Sequence, residues 1–184
     1  MPAMPIQARH RGFTVTELLS GLGILALLAT FAVPSMARML AEADLRARSS
    51  ALSVALASAR LRAVETGKTV SVCARGAADA CSASPDWSGG WMVFDDPRRR
   101  GEPETATAVQ AVEPIDTPHL VVSSTSGRRV LGFRPNGSAT GSNVTLTLCD
   151  RRYPRMGRQI VVNNAGRVRS GPLPVDWNCG QPAP

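Results

Sequence analysis

Between Phe13 and Val33 the chain runs for 21 residues with one charge, Glu17. As a helix that stretch measures roughly 30 Å, the thickness of a bilayer's hydrocarbon core. A lone carboxylate in such a run is costly in lipid, so its presence implies a task. A short leader with Arg9 and Arg11 precedes it. Leader arginines held on the cytoplasmic side would send everything after the run across the membrane. An ordinary secretory signal would be cut after the apolar stretch, near Ala32-Val33-Pro34-Ser35, and Glu17 inside the run argues against that.

The remaining pattern is helical, then extended. Leu45, Leu52, Leu56, Ala59 and Ala63 recur at three-, four- and seven-residue spacings and share a helix face. Pro34 should kink this helix, and Gly67 after Thr66 should end it. After Gly67 the period changes to two, with Val70 and Val72 alternating with Thr69, Ser71 and Cys73. Strands are expected at 70–73, 91–94, 130–133, 143–149, 159–163 and 167–170, with weaker ones around 105–112 and 120–124. The tail from Gly171 reads as irregular. The expected divisions are a leader over 1–12, a transmembrane segment over 13–34, an amphipathic helix over 35–67 and a β domain over 68–184. A long helix followed by short strands gives an α+β fold.

The segment Arg11-Gly12-Phe13-Thr14-Val15-Thr16-Glu17 resembles the processing signal of type IV pilins and type II secretion pseudopilins. Val72-Cys73, Gly90-Trp91-Met92-Val93-Phe94, Phe133-Arg134-Pro135-Asn136-Gly137 and Gly166-Arg167-Val168-Arg169 are similar to the GspH/FimT branch of that family. The resemblance implies a pilin-like fold, with a long N-terminal helix packed on an antiparallel β domain. It also implies cleavage after Gly12 by a prepilin peptidase, methylation of Phe13, and a role for Glu17 in assembly with other pilins. The protein would sit in the inner membrane with its β domain periplasmic, then join a surface pilus.

The four cysteines, Cys73, Cys81, Cys149 and Cys179, all follow the apolar run, and in an exported domain an even count favours disulfides. Three connectivities are open. The local solution pairs Cys73 with Cys81 and Cys149 with Cys179. No Cys-x-x-Cys pair occurs, and His10 and His119 are poorly placed for zinc, so no metal is expected. Asp95 and Asp96 are adjacent, face opposite ways in a strand, and make no acid–base pair. Neither an enzyme nor a cofactor is expected.

Charge is uneven. Residues 128–169 hold nine arginines and one acid, Asp150, whereas residues 13–127 hold ten bases and twelve acids. Within the basic segment, Arg167 and Arg169 fall on one face of a strand, about 6.5–7 Å apart, close to the spacing of successive phosphates along a nucleic-acid strand. Guanidinium groups hold phosphate through paired hydrogen bonds. Gly166, after Asn164-Ala165, permits the tight turn that projects them. Arg151, Arg152, Arg155 and Arg158 add charge nearby, with Tyr153 as a stacking candidate and Trp91 a core residue. Arg98-Arg99-Arg100, flanked by acids, reads as a solvated turn. The Gly-Arg-x-Arg element resembles the DNA-binding motif of the FimT minor pilins of natural transformation, so sequence-independent DNA binding is the expected function. The alternatives are a GspH-type pseudopilin of type II secretion and a minor pilin serving pilus assembly without DNA.

Overall fold

The computed structural model describes residues 12–77, 80–139, 141, 143–174 and 176–179. The expected leader thus lies outside the described residues except for Gly12. The described chain comprises one long helix, α1 (Val15–Thr66), and eight strands. These are β1 (Val70–Ala74), β2 (Gly90–Asp95), β3 (Val109–Pro114), β4 (Leu120–Ser124), β5 (Val130–Phe133), β6 (Val144–Asp150), β7 (Gly157–Val162) and β8 (Val168–Pro172). Two compact units are present, Met1–Leu40 and Ala41–Pro184.

In the first unit α1 is helical through Pro34. Its first turn is capped by Thr14, whose Oγ1 accepts a hydrogen bond from the Glu17 N–H at 3.3 Å. Leu18, Leu22, Leu25, Leu28 and Phe31 are all exposed. This helix is long and apolar enough to cross a membrane.

In the second unit α1 buries Ala41, Leu45, Ser49, Leu52, Leu56, Ala59 and Ala63. Steps of three and four along a 3.6-residue period make these one stripe. Leu45, Leu52, Leu56, Ala59 and Ala63 share a core with Val70 and Val72 of β1, Phe133 of β5, and Leu146, Leu148 and Ile160 of β6 and β7. The helix ends where Gly67 takes φ +65°, the left-handed conformation of a C-terminal cap.

The strands form two antiparallel four-stranded sheets, ordered β3-β2-β1-β5 and β4-β6-β7-β8. The outer face of the first carries a smaller apolar cluster of Cys73, Met92 and Phe94. Cys73 is bonded to Cys81, and Cys149 to Cys179. Trp87 is fully buried and donates its indole N–H to the Arg128 carbonyl at 2.9 Å, and Trp91 is also buried.

Several boundaries move. The strand expected over 105–112 begins at Val109, after a short 3-10 turn over Ala106–Ala108. β7 starts at Gly157, and β8 continues to Pro172, where irregular chain was expected. β8 is an edge strand, and an edge tolerates proline because it needs no donor on its outer side.

Candidate nucleic-acid interface

Arg167 and Arg169 flank Val168 at the start of β8, and both are exposed while Val168 packs on the core. The turn before them is fixed at several points. Gly166 donates its N–H to the Asn163 carbonyl at 2.8 Å. Arg167 donates its backbone N–H to the Asn163 side-chain oxygen at 2.9 Å. Ala139 donates to the Asn164 carbonyl at 3.0 Å, which ties the turn to the loop after β5. Gly166 is itself buried, at φ +72°, against the Gly137 carbonyl and the Arg60 side chain. Arg60 in turn donates from Nε to that carbonyl at 2.9 Å. Helix, β5–β6 loop and β7–β8 turn thus meet at Gly166, and the two arginines project from this junction. Among the described residues no carboxylate pairs with either guanidinium.

The other arginines expected at the site are arranged differently. Arg151, Arg152 and Arg155 lie in the β6–β7 turn, at the opposite end of β7 from Arg167. Six residues of strand put the two groups roughly 17–20 Å apart. Arg152 is also occupied. It grips Asp150 through Nε at 3.0 Å and a terminal nitrogen at 2.6 Å, and its guanidinium sits 5.7 Å from the Tyr153 ring centre. The hydrogen bonds from Arg152 hold the buried Asp150 carboxyl below its usual range, and Asp150 raises Arg152. The Arg152 guanidinium thus lies over the ring of Tyr153, the residue expected to stack on a base.

Arg158 lines a depression with Arg155 but does not join Arg167 and Arg169. It pairs with Leu148 and Pro172, and lies two residues from the buried Ile160. Cross-strand partners share a face and neighbours along a strand alternate. Arg169 pairs with Val161 and therefore faces the other side of the sheet. Arg158 instead lines a groove with Ser49, Ser53 and Ala57 of α1. A charge count along the chain carries no information about the face a residue occupies.

Sequence reasoning gave no role to Arg60, which reaches the junction from α1. Its helical position alone gives no sign that it reaches the β5–β6 loop. Arg62, in the last turns of α1, likewise bonds Asp95 of β2 at 2.8 and 3.0 Å. That bond lowers the Asp95 pKa and raises that of Arg62.

The model of the family described as type II transport protein GspH matches residues 49–166, from the second half of α1 to the glycine of the β7–β8 turn. The chain belongs to the GspH family. Its fold is that of the pilin-like proteins, with the long helix laid on antiparallel sheets. Two crystal forms of the type IV minor pilin FimU of Pseudomonas aeruginosa share this fold. One is 22% identical with TM-score 0.56, covering 74% of this chain and 98% of that one. The other is 20% identical with TM-score 0.57, covering 74% and 93%. No curated protein matches the chain. The GspH match stops at Gly166, so Arg167 and Arg169 lie just beyond the span that defines the family.

Proposed function

We propose that this GspH-family chain is a minor pilin that binds DNA without sequence preference and assists its uptake in natural transformation, as a FimT-type subunit. In this reading a prepilin peptidase cuts between Gly12 and Phe13, residues 13–34 anchor the subunit in the inner membrane, and residues 35–67 form the amphipathic half of the helix. Residues 68–184 are the exported β domain, which reaches the pilus surface through contacts with other pilins. Arg167 and Arg169 contact successive phosphates, with Arg151 and Arg155 as a second contact one strand-length away.

The observation that supports this most is the buried Gly166 junction, which fixes two exposed arginines that have no acidic partner among the described residues. A fixed backbone presents the two guanidinium groups from one face of the strand, so that phosphate binding orders the side chains alone. The test is binding of the full-length protein, in nonionic detergent, to two duplexes of unrelated sequence. Equal micromolar affinities that fall steeply with salt support the proposal. A strong preference for one sequence contradicts it.

A second reading is a pilus or pseudopilus assembly subunit with no DNA role. The fold likeness to FimU, described as a type IV minor pilin, favours it. Absence of DNA binding at low salt would leave this reading as the better one.

A further inference from the structure

We propose that the cleft over the β1–β5 side of the first sheet is a separate anion site, made for a compact ligand with two or more clustered phosphate groups. The cleft encloses about 730 Å³ and is lined by Arg98, Arg99, Arg100, Arg128, Arg129 and Arg134. That volume is in the range of small-molecule sites. Three of these arginines come from the loop after β2 and three from the segments flanking β5. They are up to 36 residues apart in sequence and meet only in the fold.

Among the described residues, the one carboxylate lining the cleft is already used. Asp96 is buried, and its Oδ1 accepts the Arg100 N–H at 2.7 Å. Its Oδ2 accepts the Ser71 hydroxyl at 2.9 Å and the Gly101 N–H at 3.0 Å. Asp96 therefore shapes the arginine loop. At the rim Glu104 pairs with Arg98 at 2.9 Å and with Arg100 at 3.5 Å. Among the described residues no carboxylate pairs with Arg99, Arg128, Arg129 or Arg134. Four such arginines line one cleft, and their summed positive charge favours an anion there. Thr69, Ser71 and Gly132 also line the cleft, and their small size leaves room for it.

A second observation is independent of charge. Arg99 has φ +56°, and among the described residues no other non-glycine has positive φ. That conformation is costly for a residue with a Cβ. Arg99 is held in it by the turn, in which its N–H donates to the Asp96 carbonyl at 3.0 Å. Glycine would fit there without strain. Strain of this kind concentrates at ligand sites.

Calorimetric titration of the full-length protein in nonionic detergent tests the site, with sodium tripolyphosphate as probe and glucose 1,6-bisphosphate as a sugar-bearing arm. One tripolyphosphate should bind per chain. Arg99→Gly and Arg129→Gln together should weaken binding at least tenfold, whereas Arg167→Gln with Arg169→Gln should leave it within twofold. Arg99→Gly should also raise the thermal midpoint by relieving the backbone, so lost binding cannot be assigned to unfolding. Tighter binding of the bisphosphate supports a phosphorylated sugar as the source, and tighter binding of tripolyphosphate a free phosphate chain. Three results overturn the proposal: no saturable binding, binding unmoved by the Arg99 and Arg129 changes, or duplex DNA needing Arg99 and Arg129 as much as Arg167 and Arg169. The last would make the cleft part of the DNA surface.

Discussion

Gly166 packs directly on the Gly137 carbonyl oxygen, so closely that a Cβ at 166 would overlap it. The obstacle is backbone, which cannot turn aside as a side chain can, and φ +72° adds strain for any other residue. Gly166→Ala should therefore cost about 2 kcal/mol or more, read as a shift in the urea midpoint. The same change should weaken DNA binding by moving Arg167. An unshifted midpoint would show that the junction is not tightly packed.

The two disulfides should differ in worth. Cys149–Cys179 closes a 30-residue separation and Cys73–Cys81 one of 8. Loop-closure entropy gives about 3.7 kcal/mol for the longer and about 2.6 kcal/mol for the shorter. Replacing Cys149 and Cys179 by Ser should thus lower the denaturation midpoint more than replacing Cys73 and Cys81. It should also free the chain beside Arg151, because Cys179 donates its N–H to the Pro154 carbonyl at 2.9 Å. A reversed order would show strain or residual structure outweighing loop length.

Acid should destabilise the β domain in a defined window. Asp95 and Asp150 both titrate below their usual range because Arg62 and Arg152 hydrogen-bond their carboxylates. A carboxyl group that is more acidic when folded contributes stability above its unfolded pKa of about 3.9. That contribution is lost as pH falls through the lower folded value. Thermal midpoints should be flat from neutrality to about pH 5 and fall below about pH 4. Asp150→Asn should lower the midpoint at pH 7 and flatten the acid limb. An unchanged acid limb in this variant would remove Asp150 from the account.

Processing and assembly are tested separately. Gly12→Val should block cleavage before Phe13, and the intact mass of membrane-extracted protein reports it. Glu17→Ala should leave the β domain's circular dichroism unchanged while lowering incorporation into filaments, since the carboxylate can pair there with a neighbour's Phe13 amine. Glu17 also offers its N–H to the Thr14 cap, a backbone bond that alanine retains. Reduced helicity with normal incorporation would give Glu17 a local helix role only.

The fold was largely legible because its signals are periodic. The stripe from Leu45 to Ala63 and the alternation of Val144, Leu146 and Leu148 each record one buried face, and each is buried as its period requires. The basic surface was less legible. Asp150 lies only two residues from Arg152, and Ile160 two from Arg158, yet a charge count along the chain registers neither the pairing nor the face. The cleft was not legible either. Arg98-Arg99-Arg100 is the exposed turn its flanking acids suggested, with Arg98 and Arg100 paired to Glu104, but nothing local shows that Arg128, Arg129 and Arg134 line the same cleft. Long-range register, which local pattern does not encode, decides which charges meet.

The most direct test of the central claim is the salt dependence of DNA binding with and without the β8 arginines. Full-length protein in nonionic detergent would be titrated with a labelled 20-base-pair duplex between about 50 and 200 mM salt, alongside Arg167→Gln with Arg169→Gln. Arg46→Gln, a helix arginine paired with Glu42, serves as control. Two lost phosphate contacts should reduce the slope of log affinity against log salt by about 1.8. Affinity at the lowest salt should drop at least tenfold, with the control unchanged. Equal affinity and equal slope for the double variant and the wild type would contradict the claim that Arg167 and Arg169 hold DNA.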